Sequence, residues 1–420
     1  MHRIFAAVLA VSVCATSLQA QTSISSSADS ALTLDEALAN AGALSPGVEA
    51  ARFGIVAAQA QRDVARLRPN PSIDAMAENV AGTGAYSGLR ASETTVGLSL
   101  PLELGGKRSA RVEVANAQIA RASLEAAIAQ ADLRQRVSQA FNDASANQGR
   151  AVIAREQVGI AAEVLRAARV RVASGRASPL EEQRADVARL NAEGTAERSE
   201  RSADLARDTL SRLIGSTVTQ VDPTWFTHVE AAGPPRPLDA AGTLAIAAAQ
   251  ADLGTATAQV RLARSQRIPD VTVSAAARRL EASNDMAGVF SISVPLPIFN
   301  TGRAGVDLAS AQRRQAEANR RLAMLDAEQM IATARVEAAN AATTARNATG
   351  PTLAAAQEAA RIARIGYREG KFGQLDLLEA ERTLSDTRAS AIDALAAYHD
   401  AQARLERLSA PVPSDAKDER

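Results

Sequence analysis

Aromatic residues make up 3% of the 420-residue chain, so the usual large fillers of a globular core are scarce. Cys14 is the only cysteine, which excludes a disulfide framework. No stretch approaches the length of uninterrupted apolar sequence that a membrane-spanning helix needs. Charge of one sign is also missing: 47 Lys plus Arg balance 47 Asp plus Glu. That balance argues against a general polyanion binder, and no basic block interleaved with aromatics points to nucleic acid. Beyond the first twenty residues, His228 and His399 stand in no catalytic or metal-ligand spacing. His399 lies beside a heptad seam and is expected on a helix surface. There is no Walker loop, and Gly82, Gly84 and Gly88 fall in a hairpin loop rather than a phosphate cradle. No catalytic residue, cofactor or bound metal is therefore expected.

The start of the chain is a targeting segment, read as a signal peptide over residues 1–20. His2 and Arg3 precede an apolar run from Ile4 to Cys14, and a small-residue region ends at Ala20 before Gln21. A lipoprotein reading, with Cys14 as the lipidated residue, has the bulky Val13 against it. Either way the chain is expected to leave the cytoplasm.

Internal repetition organises the rest. Leu100-Pro101-Leu102 with Gly106 and Arg108 recurs as Val294-Pro295-Leu296 with Gly302-Arg303. Ala168-Arg169-Val170, Gly175-Arg176 and Leu180-Glu181 recur as Ala363-Arg364-Ile365, Gly370-Lys371 and Leu375-Asp376. The spacing predicts a duplication, with one repeat over 32–213 and a second over 240–408. A Pro-rich connection over 214–239 holds Trp225 and reads as a linker belonging to a belt, and the tail over 411–420 reads as disordered. Each repeat runs helix, two strands, a very long helix, a tight turn and another helix. Period-two alternation places strands at 72–80, 93–104, 270–280 and 288–299. Val96, Leu98 and Leu100 face one way, with Thr95, Gly97 and Ser99 the other; Phe290 and Ile292 oppose Ser291 and Ser293. No proline interrupts 107–174, which at 1.5 Å per residue is about 100 Å of helix. Its counterpart over 303–369 should kink at Gly350-Pro351. Helices at 179–213 and 374–408 follow. The last carries a heptad seam from Leu377 through Leu384, Ala391 and Tyr398 to Leu405. Alanine-rich seams bury little area each, so stability is expected to come from length and from neighbouring helices, and the chain is not expected to stand alone as a monomer.

A four-stranded sheet with one apolar face cannot sit in lipid with open edges. Three chains with four strands each would close a twelve-stranded transmembrane β-barrel, apolar outside and polar within. The fold class is therefore α+β and predominantly helical, a long α-helical coiled-coil tunnel carrying a membrane barrel.

With these features in place, the chain resembles the TolC-type outer-membrane factor family from about Leu32 to Leu408. Glu103-Leu104-Gly105-Gly106-Lys107-Arg108 and Pro295-Leu296-Pro297-Ile298-Phe299-Asn300 look like its cobalt–zinc–cadmium resistance branch. The resemblance implies a homotrimer in outer-membrane lipid that extends into the periplasm. It also implies a periplasmic adaptor (membrane fusion) protein and an inner-membrane resistance–nodulation–division pump as partners. The motif Tyr367–Glu379 corresponds to the turn at the tunnel's periplasmic tip, making Tyr367, Asp376 and Glu379 gate residues. Phe372 stands where many relatives carry a basic partner. The matching turn in the first repeat completes the adaptor-docking tips: Gly175, Arg176, Leu180, Gly370, Lys371 and Leu375. In one respect the chain departs from the pattern: only Tyr86, Phe290 and Phe299 could serve an aromatic girdle. A type I protein-secretion duct and a structural coiled-coil envelope protein remain as alternatives, and the repetition argues against a periplasmic adaptor. The exported substrate is not written in the chain.

Overall fold

The computed structural model describes residues 31–230 and 240–413; the signal peptide, with Cys14, and most of the tail lie outside them. The first half contains α1 (Leu34–Leu44), α2 (Pro46–Arg66), β1 (Ser72–Glu78), β2 (Glu93–Leu102), α3 (Lys107–Ala173), α4 (Pro179–Ile214) and the short α5 (Pro223–Thr227). The second contains α6 (Leu244–Ser265), β3 (Val271–Leu280), β4 (Asp285–Ser293), α7 (Arg303–Asn347), α8 (Leu353–Arg368) and α9 (Gln374–Leu408). The helices begin where local chemistry lets them. Thr33 and Glu36 form a reciprocal capping box, and Pro46, Pro179 and Pro223 occupy first turns, where a missing N–H costs nothing.

The 67-residue α3 is the spine. Ion pairs record the antiparallel course of its neighbours. Arg155–Glu200 and Arg169–Glu182 tie it to α4, Arg261–Glu113 and Arg121–Asp252 to α6, and Arg407–Asp132 and Arg388–Glu156 to α9. The expected break in the second long helix separates α7 from α8. It is a π-helical turn over Ala348–Thr352, where Gly350 leaves helical geometry at φ −100° and ψ −106° and Pro351 has no N–H to donate.

The core is a narrow column of alanines with a few large anchors. Phe141, Leu210, Ile214 and Val221 form one cluster, and Phe226, Ile392, Leu395 and Tyr398 a second. Trp225 touches both. The segment expected as a linker thus contributes core residues, because its aromatic pair fills the space that alanine helices leave between them.

The strands form one antiparallel sheet in the order β1-β2-β3-β4. Register brings Ile73 opposite Leu98, Leu100 opposite Val273, and Ala275 opposite Phe290. The resulting apolar face is open to solvent in the single chain, with Ile73 76% and Phe290 84% exposed. The other face is polar: Asp74 accepts from Ser99, Ser274 Oγ donates to Ser99 Oγ, and Arg278 pairs with Glu78 and Glu93. Three strand ends fall short of expectation and the fourth strand is displaced. β4 covers Asp285–Ser293 rather than 288–299, because Asn284, at φ 55°, turns the chain early. The run after Val294 contains Pro295 and Pro297, which cannot donate to a ladder.

Candidate functional site: the paired helix tips

Two hairpin turns of the same construction lie side by side at the end of the bundle. At the end of α3, the Gly175 N–H donates to Val172 O and the Arg176 N–H to Arg171 O, both at 2.9 Å. At the end of α8, the Gly370 N–H donates to Tyr367 O at 3.1 Å and the Lys371 N–H to Gly366 O at 2.8 Å. Each is a Schellman stop, and both glycines sit at φ +72°, where a side chain would be strained. Helices α4 and α9 then restart under caps. Ser178 Oγ accepts from the Leu180 N–H, and Asp376 Oδ2 from the Gly373 N–H at 2.9 Å.

Across the gap, Tyr367 Oη donates to Glu181 Oε1 at 3.1 Å and Gln374 Nε2 to Glu181 O at 3.0 Å. The Arg171 guanidinium lies 4.9 Å from the centre of the Tyr367 ring. Burial, reinforced by the neighbouring Glu181 charge, pushes the Tyr367 phenol above its ordinary value, so it stays protonated and donating. Beneath it, Arg364 makes a bidentate pair with the buried Glu381. Phe372 rests on Gly366, where an added Cβ would meet the ring at 2.1 Å. In this turn the Phe372 ring packs on a glycine and makes no ion pair.

The structure therefore separates the three gate candidates. Tyr367 is buried and tied within its own chain, whereas Asp376 and Glu379 are exposed, with Asp376 also capping α9. All six docking candidates are exposed, Leu180 by 54% and Leu375 by 63%. Sequence reasoning did not single out Arg171, Glu181, Arg364, Gln374 or Glu381. For one pair a signal existed: in a helical hairpin, opposite charges equidistant from the turn face each other, as Arg171 and Glu181 do.

A second polar cluster lies in the middle of the molecule and corrects the expectation for His399, which is buried rather than on a helix surface. Its Nε2 lies 2.9 Å from Phe226 O, its ring centre 3.9 Å from that of Trp225, and Asn142 Nδ2 donates nearby to Ala396 O and Asp400 Oδ1. The seam alone put His399 outside, but α5 packs over that side of α9. Burial lowers the imidazole below its ordinary value, so the unfolded chain takes up the proton more readily than the folded one. Stability is expected to be full above the unfolded pKa of about 6.5 and to fall as pH drops from there toward the depressed folded value. The contribution of this residue is the difference between unmodified protein and His399→Gln in thermal unfolding from neutral pH downward. Parallel curves over that range would contradict it.

Among the described residues no group of three or more His, Cys, Asp or Glu is placed to hold a metal ion. Among the same residues no helix is long and apolar enough to cross a membrane.

Among the described residues the sheet thus has an exposed apolar face and no further strand beyond β1 or β4, and it is joined to long helices that end in paired tips. The chain belongs to the outer membrane efflux protein family, which it matches over residues 34–216 and 240–410. It is 30% identical over 390 residues to the cobalt-zinc-cadmium resistance protein CzcC of Cupriavidus metallidurans, with 90% of each chain covered. It is 33% identical over 292 residues to the nickel and cobalt resistance protein CnrC of the same organism, with 69% of each covered. Its fold is similar to the open-state MtrE outer membrane channel of Neisseria gonorrhoeae, with a TM-score of 0.74, 21% identity and coverage of 90% of this chain and 88% of that one. The protein is an outer-membrane efflux component that extends into the periplasm, in a family of channels rather than enzymes that work with adaptor and inner-membrane pump partners.

Proposed function

We propose that the chain is the exit duct of a tripartite efflux system for heavy-metal cations, acting as a homotrimer. The observation that carries this reading is the sheet: its apolar face is exposed, and the outer edges of β1 and β4 meet no further strand among the described residues. Backbone groups left unpaired in hydrocarbon cost several kcal/mol each, so pairing β4 of one copy with β1 of the next, three times over, meets that demand. The recurrence of helix, strand pair, long helix and returning helix in each half supports an origin by duplication. Similarity to metal-resistance components over most of the chain supports cations as cargo. Transport is passive: a resistance–nodulation–division pump selects and drives, and a periplasmic adaptor docks on Gly175, Arg176, Leu180, Gly370, Lys371 and Leu375.

Asp376 and Glu379 form the acidic part of the periplasmic gate. Being exposed at the tip, they would bring six carboxylates together in a trimer. Tyr367 is a positioning residue of the gate, holding one tip to the other through Glu181. In planar-bilayer recording, unmodified protein should pass a small, cation-preferring current. Asp376→Ala/Glu379→Ala should pass a larger one and lose the preference. A purified protein that conducts in neither form rejects the duct, and a deletion strain that grows normally on cobalt, zinc and cadmium rejects the cargo.

A further inference from the structure

Where the sheet meets the helices, positive charge outnumbers negative. Residues 63–68, 103–111, 267–270 and 303–307 carry seven basic side chains against four acidic ones. The pairing of Leu102 with Val271 sets the second and third of these segments at one level. Two of the carboxylates are consumed locally, Asp270 by Lys107 Nζ at 2.7 Å and Glu103 by Arg111. The other two, Asp63 and Asp307, lie 3.8 Å from Arg66 and 3.9 Å from Arg303, in exposed positions. Among the described residues Arg68, Arg108 and Arg267 have no carboxylate partner. Arg108 Nε donates to Arg66 O and Arg267 Nε to Thr301 O, which leaves their terminal nitrogens unengaged. Exposed apolar side chains share this level: Leu67, Leu104, Ile268, Leu296 and Ile298, with Phe299 fully exposed. The far end of the sheet is different. There Arg278 is shared between Glu78 and Glu93, and Arg279 pairs with Glu281.

We propose that this collar of Arg68, Arg108, Arg267 and Arg303 binds anionic phospholipid headgroups in the leaflet on the helix side of the barrel. The inference rests on the membrane reading of the sheet, with whose apolar face the collar is continuous. Apolar side chains interleaved with arginine are the composition of surfaces that lie at the headgroup boundary. A guanidinium also meets a phosphate through two parallel N–H donors, which an ammonium cannot match. The collar occupies the place of the sparse aromatic girdle, anchoring the barrel by charge where Trp and Tyr are absent.

The test reconstitutes the full-length protein in vesicles of phosphatidylcholine alone and of phosphatidylcholine with phosphatidylglycerol, then counts retained lipids by native mass spectrometry. Phosphatidylglycerol should be retained selectively. Arg68→Gln/Arg108→Gln/Arg267→Gln/Arg303→Gln should weaken that selectivity by roughly fivefold per arginine, whereas Arg314→Gln/Arg321→Gln, at exposed positions farther along α7, should not. Equal retention of the two lipids by unmodified protein overturns the collar, and this comparison stands even if the fourfold variant misfolds. Selectivity kept by a folded fourfold variant also overturns it, as does a trimer in which a neighbouring subunit's carboxylates cover the four arginines. Failure to insert into either vesicle rejects the membrane reading itself; insertion without lipid preference rejects only the collar.

Discussion

Phe141→Ala is expected to destabilise the protein by roughly 3–5 kcal/mol. The ring is 0% exposed and packs with Leu210, Ile214 and Val221, meeting the edge of Trp225 at 5.5 Å and 79°. Truncation removes the apolar area and leaves a cavity lined partly by alanines. Alanine has no side-chain rotamer with which to fill a void, so the site relaxes little and the cavity cost is retained. Phe141→Leu, which keeps most of the volume, should cost less than about 1.5 kcal/mol if the neighbours repack. Far-UV circular dichroism during denaturation of the detergent-solubilised protein measures both variants. Equal losses would mean that Phe141 is not the anchor its burial indicates. In an alanine-rich chain the effect should exceed that of truncating almost any other single residue, because so few large side chains share the work.

Arg364→Met should cost about 3 kcal/mol, concentrated at the tip. Glu381 is 4% exposed, and Arg364 supplies both hydrogen bonds to its carboxylate. Without the guanidinium an ionised oxygen pair remains buried opposite a thioether, which is the expensive half of a broken pair. Replacing both, Arg364→Met/Glu381→Leu, should recover most of the loss, since two apolar side chains of similar volume leave no unpaired charge. Hydrogen exchange at residues 366–380 reports the local effect. Faster exchange in the single variant and near-normal exchange in the double one is the expected pattern; equally fast exchange in both would assign the loss to packing instead. The single variant should also raise conductance if the tip gates the duct, because α8 and α9 would be free to separate beneath Tyr367.

Much of the site was legible because it is local. Gly175 and Gly370 mark helix ends by their tolerance of positive φ, Asp376 a helix start by its carboxylate, and Gly350-Pro351 a break by an absent donor. None of these needs a distant partner. Glu381 shows the limit: a glutamate one step outside the heptad seam reads as solvated until Arg364, on the preceding helix, is seen to cover it. His399 fails for the same reason, since α5 lies over it from a segment that reads as linker. In β4 the end was misplaced because alternation continues through Val294 and Leu296, while the prolines among them decide against a ladder.

From the residues alone came the periodicities, and with them the order and approximate length of the long helices and strands, the alternating faces of the strands and the turns between helices. Each depends on contacts within a few residues, where steric and hydrogen-bonding preferences act without help. Tertiary structure alone decided which side chains meet across the bundle: Tyr367 with Glu181, 186 residues away, His399 with Trp225, and the arginines gathered where the sheet meets the helices. Those meetings depend on how far each helix is rotated and shifted against its neighbours. That is a collective result of packing over the whole length of α3, and no short stretch of sequence contains it.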